Sequence, residues 1–180
     1  LYGIKHDGSI WAWGQSPYIH PSSGYGNNKP VLISANESKF KMISGTICLR
    51  EDGTIWLKEN LNTNGKFVEE MIPYENDNDC KYISGLKANS VYYIYPIKND
   101  GSLWYLTIPQ ALNRQSVNIQ VGNKSNWEYI SIAFADAYQQ HYVALKTDGT
   151  LWACGNNNFG YLGIGSEGIE TDKLIPAIIE

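Results

Sequence analysis

Asp148-Gly149-Thr150-Leu151-Trp152 is the last of four versions of one five-residue phrase, after Asp7-Gly8-Ser9-Ile10-Trp11, Asp52-Gly53-Thr54-Ile55-Trp56 and Asp100-Gly101-Ser102-Leu103-Trp104. Successive Asp positions are 45, 48 and 48 residues apart. The register also runs backwards. Ile4, Leu49, Ile97 and Leu145 stand three residues before each Asp, Lys5, Arg50, Lys98 and Lys146 two before, and the compact Gly3, Cys48, Pro96 and Ala144 four before. A period of this length marks an array of one supersecondary unit that buries its apolar face by stacking on copies of itself.

Asp-Gly between short apolar and polar runs is a hairpin signal, because a type I′ turn needs positive φ at both central residues and Asp and Gly tolerate it. With a two-residue turn, the aliphatic residue at Asp minus three is expected opposite the Trp at plus four. The basic residue then falls opposite the Ile or Leu at plus three, its stem covering apolar surface. Both hairpin faces carry large apolar groups, as expected for a blade packed between two others rather than for an open meander. On this reading the four Asp residues make turns and the four Trp residues make core, in place of a carboxylate cluster or a stacking ladder.

Two further strands per unit can be traced. Pro30-Val31-Leu32-Ile33 and Pro176-Ala177-Ile178-Ile179 read as edge strands, where a leading Pro is tolerated. Met42-Ile43-Ser44-Gly45, Tyr82-Ile83-Ser84-Gly85 and Tyr129-Ile130-Ser131-Ile132 read as strands opening into the next hairpin. The expected fold is all-β, a propeller of four-stranded blades in one domain over residues 1–180, with approximate units 1–34, 35–73, 74–122 and 123–180. The first unit lacks an opening strand, since Leu1 already lies in the run leading to Asp7. Composition agrees, with 13 Tyr, 6 Trp and 17 Gly favouring pleated strands and turns.

The stretch Tyr142-Val143-Ala144-Leu145-Lys146-Thr147-Asp148-Gly149-Thr150-Leu151-Trp152-Ala153-Cys154-Gly155 resembles the repeat of the regulator-of-chromosome-condensation propellers. Its continuation, Gly155-Asn156-Asn157-Asn158-Phe159-Gly160-Tyr161-Leu162-Gly163-Ile164-Gly165 followed by Pro176, is similar to that family's glycine-rich stretch and proline-led strand, with Tyr161 where Gln is common. The middle units depart from the pattern: Lys58-Glu59-Asn60 and Leu106-Thr107-Ile108 replace the Trp-Gly ending, which predicts altered loops there. The resemblance implies a seven-bladed ring, more than four units supply. A fragment of a longer propeller is the expectation, with pairing of two chains or a smaller closed ring as alternatives. It also implies protein binding as the class of function, with guanine-nucleotide exchange on a small GTPase and inhibition of a protein by secreted bacterial propellers as family precedents.

Composition narrows the partner. Fourteen basic against eighteen acidic residues give a net charge of −4, whereas nucleic-acid binding rests on basic surface that displaces counterions from phosphates, so no nucleic acid is expected. No apolar run reaches the roughly 20 residues of a membrane helix, so no membrane is expected either. Cys48, Cys80 and Cys154 are odd in number and widely spaced, which reads as buried free thiols rather than as disulfides or a zinc site. His6, His20 and His141 are scattered, and no nucleophile elbow, metal motif or phosphate loop occurs. The expectation is a non-enzymatic chain without cofactor, in an extracellular or cell-surface setting of bacterial type, otherwise in the cytoplasm.

The Asp-Gly turns occupy one side of the blades, so the longer loops gather on the other. Aromatic side chains on such loops supply contact area at small entropic cost. Tyr18, Tyr25, Tyr138 and His141 are the candidate protein-binding residues, and Phe159 and Leu162 are expected to plug blade gaps. Carbohydrate stacking on the same tyrosines is the alternative.

Overall fold

The chain, described by a computed structural model, is defined over residues 1–14, 27–34, 39–63, 66–74, 78–110, 115–123, 125–134, 140–165 and 173–178. The strands among these are β1 (Tyr2–Ile4), β2 (Ile10–Gly14), β3 (Asn27–Ser34), β4 (Phe40–Ser44), β5 (Ile47–Arg50), β6 (Ile55–Thr63), β7 (Lys66–Tyr74), β8 (Cys80–Ala88), β9 (Val91–Lys98), β10 (Trp104–Pro109), β11 (Val117–Gln120), β12 (Trp127–Phe134), β13 (Gln140–Lys146), β14 (Leu151–Gly155) and β15 (Lys173–Ile178). No helix occurs among the described residues. The strands form four antiparallel meanders in chain order: β1-β2-β3, then β4 to β7, β8 to β11 and β12 to β15. Two compact units, Leu1–Asp79 and Cys80–Glu180, hold two sheets each.

Each repeated phrase tips a hairpin, but the turn differs from the expected one. Gly8 N–H donates to the Lys5 carbonyl at 2.9 Å, and Lys5 N–H donates to the Ser9 carbonyl at 3.0 Å. The loop is therefore three residues long, His6-Asp7-Gly8, with positive φ at Gly8 (+82°) and not at Asp7. This is a type I turn closed by a left-handed glycine. Gly53, Gly101 and Gly149 repeat it at +87°, +82° and +84°. The two-residue turn with both φ values positive occurs instead at Asn89 (+49°) and Ser90 (+60°), between β8 and β9.

The third loop residue moves the register by one. Ile4 faces Ile10 and Gly3 faces Trp11; Leu49 faces Ile55 and Cys48 faces Trp56; Leu145 faces Leu151 and Ala144 faces Trp152. The aliphatic residue thus pairs with an aliphatic, and the compact residue at minus four stands across from the Trp, contrary to the two-residue expectation. The basic residue lies over the indole. Lys5 Nζ is 3.6 Å from the Trp11 ring centroid, Lys98 Nζ 4.6 Å from that of Trp104, Lys146 Nζ 5.0 Å from that of Trp152 and the Arg50 guanidinium 5.1 Å from that of Trp56, within cation–π range.

A second repeated device fixes the indoles. In each hairpin one Asp oxygen accepts the backbone N–H and the hydroxyl of the Ser or Thr two residues on, and that hydroxyl oxygen accepts the Trp Nε1–H. The hydroxyl bonds to Asp7, Asp52, Asp100 and Asp148 are all 2.6 Å, and the indole bonds are 2.8 to 3.0 Å. Trp11, Trp56, Trp104 and Trp152 are half-buried rather than fully enclosed, which corrects their reading as core. Within this register the fully buried residues are the aliphatic Ile10, Leu49, Ile55, Ile97 and Leu103.

Glycine at the tip serves a further purpose in two hairpins. Within the first unit the Gly8 carbonyl accepts Phe40 N–H, and within the second the Gly101 carbonyl accepts Trp127 N–H. The turn of one sheet thereby docks on the strand opening the next. A Cβ on Gly8 would lie 2.8 Å from Lys39 Cα, and one on Gly101 2.7 Å from Asn126 N. Above these joints, Phe40 meets Trp56 and Trp127 meets Trp152 edge to face, both at 6.1 Å. Ile10, Phe40 and Cys48 form one core with Ile4, Ile43 and Trp56 against it, whereas Tyr95, Ile97, Trp127, Ile130, Tyr142 and Cys154 belong to the other.

Candidate functional site

The side of the sheets away from the Asp-Gly turns carries short connections in two sheets, such as Asn89-Ser90, and a long one after β14. Gly155, in a left-handed conformation at φ +105°, pairs with His141 and leads the chain out of the sheet. Two asparagines then organise the loop from within. Asn157, 0% exposed, accepts Leu162 N–H on its side-chain oxygen at 3.0 Å and Gly160 N–H on its carbonyl at 3.1 Å. Asn156 caps Asn158 N–H at 3.0 Å, and Gly163 N–H bonds the Gly160 carbonyl at 3.1 Å.

This bracing splits the loop's apolar residues into two kinds. Leu162 is buried at 1% exposure and anchors the loop, as a gap-filling residue should. Phe159 is 65% exposed, which corrects its reading as a plug. Tyr161, 41% exposed, lies between His141 and Phe159: its ring stacks on His141 at 4.6 Å and 12°, and Phe159 leans on it at 5.6 Å and 58°. Phe159, Tyr161 and His141 therefore make a continuous aromatic face whose backbone is held by an interior asparagine. His141 itself is half-buried, with Nδ1 enclosed and unpaired among the described residues. Tyr18, Tyr25 and Tyr138 lie outside the described residues.

Tyr161 escaped selection in the sequence because its rank depends on His141, which lies on β13 well before it in chain order. The legible signal was the pair Asn156-Asn157 among glycines, a composition suited to side-chain-capped turns.

Among the described residues, the His, Cys, Asp and Glu side chains do not cluster: no set of three able to hold a metal ion occurs. The repeated carboxylates lie below their usual range because a hydroxyl and an amide donate to each, with a nearby basic residue adding to the effect. Cys48, Cys80 and Cys154 are buried and joined in no disulfide, and burial pushes the Cys48 thiol up to about 12. Burial also raises the phenols of Tyr95 and Tyr142, which pack at 4.7 Å beside Cys154. These are neutral core groups.

Comparison with known proteins gives the same fold and a family match. Residues 132–160 match the Regulator of chromosome condensation (RCC1) repeat, which is the stretch from β12 through β14 into the Asn157 loop. No curated protein matches the chain. Among solved structures, it is similar to human WBSCR16 (TM-score 0.65, 14% identity, 99% of this chain and 50% of that one). It is likewise similar to Prp20p from Saccharomyces cerevisiae (TM-score 0.66, 16% identity, 99% and 48%), whose structure was described with its binding to Gsp1p and histones. Yeast RCC1 (Prp20) bound to Kap60 gives a TM-score of 0.66 at 12% identity, over 99% and 47%. The chain thus spans about half the length of the structures it matches. The chain carries a match to the RCC1 repeat at residues 132–160 and shares the β-propeller-type fold of these structures through all four sheets.

Proposed function

We propose that the chain is a non-enzymatic, protein-binding propeller segment that engages its partner through the Phe159–Tyr161–His141 face. The observation that carries this reading is the exposure of two aromatic rings in tilted contact, Phe159 and Tyr161, on a loop braced by the buried Asn157. Exposed aromatics on a preordered backbone lose little entropy on binding and make interface hot spots, where truncating one ring costs about 2 kcal/mol or more. Tyr18, Tyr25 and Tyr138, which lie outside the described residues, remain candidates from the sequence. The likeness to Prp20p and yeast RCC1, described with protein partners, favours a protein over a small substrate. The net charge of −4 favours a protein over nucleic acid.

The test places a photoreactive phenylalanine analogue at position 159, or at position 52 in an Asp-Gly turn as a control, and crosslinks in the native extract. A discrete protein adduct at 159, absent at 52 and lost when Tyr161→Ala is combined with the probe, is expected. Equal crosslinking from both positions would overturn the reading. Exposed paired rings also suit a sugar face, so saturable glycan binding abolished by Tyr161→Ala, with no protein adduct, would select the carbohydrate alternative. Acceleration of nucleotide release from a small GTPase would select the exchange reading.

A further inference from the structure

The last strand of each sheet lies at an edge among the described residues, and three of these four strands are guarded. β3 carries Lys29 and Pro30, β7 carries Lys66, Glu69, Glu70 and Pro73, and β15 carries Lys173 and Pro176. Charge and proline on an edge strand discourage the addition of another strand. β11 has neither. Residues 115–123 contain no charged side chain and no proline, and Val117, Asn118, Ile119 and Gln120 are all exposed. We propose that β11 is a self-pairing edge, which joins antiparallel to β11 of a second copy about a two-fold axis at Asn118.

Pairing inside the sheet fixes which backbone groups face outward. Val121 N–H donates to the Leu103 carbonyl at 2.8 Å. β11 runs antiparallel to β10, with Val117 opposite Thr107, Asn118 opposite Leu106, Ile119 opposite Tyr105 and Gln120 opposite Trp104. Bonded and unbonded pairs alternate along such a ladder. Val117 and Ile119 therefore turn their amides to β10, while Ser116, Asn118 and Gln120 turn theirs to the open edge. A two-fold ladder has to match outward groups with outward groups. Centred on Asn118, it sets that residue opposite its own copy, Ser116 opposite Gln120 of the second copy, and Val117 opposite Ile119 of the second copy.

Both faces of the joined sheet are then matched. Side chains alternate between faces along a strand, so Val117 (40% exposed) and Ile119 (50%) share the face on which Val121 is buried in the core beside Tyr105. Pairing Val117 with Ile119 of the second copy covers both apolar side chains and continues that face across the axis. Asn118 and Gln120 lie on the other face, where Asn118 meets its copy and Gln120 meets Ser116, each pair able to exchange side-chain hydrogen bonds. Centring the ladder on Ile119 instead would set Val117 against Val121, which is already buried at 6% exposure. The second copy supplies the matching pattern by symmetry, whereas β3, β7 and β15 would bring charge or proline to the same place. A ladder of this length is short against a standard interface, so the dimer is expected at about 0.1–1 mM chain.

The test is cysteine crosslinking of the intact chain. Asn118→Cys places two thiols in a directly opposed pair, with Cα atoms about 5.5 Å apart, within reach of a disulfide. Gln120→Cys places them about 13 Å apart along the strands. The native cysteines are buried and joined in no disulfide, so the unsubstituted chain sets the background. Under mild oxidation, Asn118→Cys is expected to form the linked dimer at least about tenfold faster than Gln120→Cys. Sedimentation of the unsubstituted chain should show its mass rising towards that of a dimer over the same concentration range. Ile119→Lys, which puts a charge in the ladder, and Asn118→Pro, which removes an outward donor and no bond to β10, should each abolish that rise with tryptophan emission unchanged. Leu32→Lys on β3, at a similar exposure of 42%, should leave it in place. Equal crosslinking at positions 118 and 120, a strict monomer throughout the range, or a dimer that survives Ile119→Lys would overturn the proposal. Crosslinking to a partner from position 159 is read separately, so failure of this pairing leaves the Phe159 face standing.

Discussion

Replacing Gly101 and Gly149 separately by Ala gives two substitutions that are the same locally and different in tertiary context. Both glycines close the same three-residue turn, at φ +82° and +84°. An L side chain in this left-handed region costs roughly 1–2 kcal/mol, partly offset by about 0.4–1 kcal/mol from a less flexible unfolded chain. Gly149→Ala meets nothing within 4 Å, so it should destabilise by about 1 kcal/mol, or some 2–4 °C for a chain of this size. Gly101→Ala adds a methyl 2.7 Å from Asn126 N and 3.2 Å from Asn126 Cα, in the backbone that Gly101 also hydrogen-bonds through Trp127 N–H. Backbone must move to admit it, which adds about 1–3 kcal/mol by comparison with overpacked cores. Urea titrations followed by tryptophan emission should therefore separate the two variants by at least about 1 kcal/mol. Equal midpoints would refute docking of the turn on the next strand as the reason for glycine at 101.

Three further outcomes are expected. Leu162→Ala should cost about 2–4 kcal/mol as a large-to-small change at a buried site, while Phe159→Ala, at 65% exposure, should stay within about 0.5 kcal/mol; thermal melts distinguish them. Cys48 should resist thiol reagents in the native chain and react once urea unfolds it, because burial holds the thiol up to about 12; stability should accordingly fall above the ordinary thiol range, as the unfolded chain ionises first. At the acid end, each repeat Asp is held below its ordinary value chiefly by its Ser or Thr hydroxyl, or by hydroxyl and amide together. The ionised form favours the fold, so this contribution is whole above the ordinary carboxylate range and disappears as pH falls through the lowered value. Ser102→Ala should shrink that acid-dependent part of the stability, measured by urea titration from neutral pH downward.

The candidate site was only partly legible in the chain's order of residues. Phe159 and Leu162 are three positions apart in a glycine-rich stretch, and nothing in that stretch says which turns outward. The choice is made by Asn157, whose buried side chain bonds Leu162 N–H and leaves Phe159 on the outside. Tyr161 gains its stacking partner from β13, through the pairing of His141 with Gly155. Register was also misassigned from sequence, because Asp-Gly is compatible with both two-residue and three-residue loops; the type I turn prevailed, and one extra residue moved each aliphatic residue from opposite a Trp to opposite an aliphatic.

What the sequence determined alone was the repeat itself: four hairpins, their spacing, the opening strands and the all-β class, whereas the strands expected to start at Pro30 and Pro176 begin three residues earlier, at Asn27 and Lys173. Local chemistry suffices for that, since Asp-Gly forms turns and alternating β-branched and aromatic residues form strands wherever they occur. Tertiary structure decided which side each residue serves. The indoles became half-buried plates between a basic side chain and a Ser or Thr hydroxyl, the tip glycines Gly8 and Gly101 became contact points for the next strand, and the distant His141 joined the near neighbours Phe159 and Tyr161 in one aromatic face. Those outcomes depend on which backbone approaches which, and a periodic pattern gives equivalent residues the same neighbours only within its own hairpin.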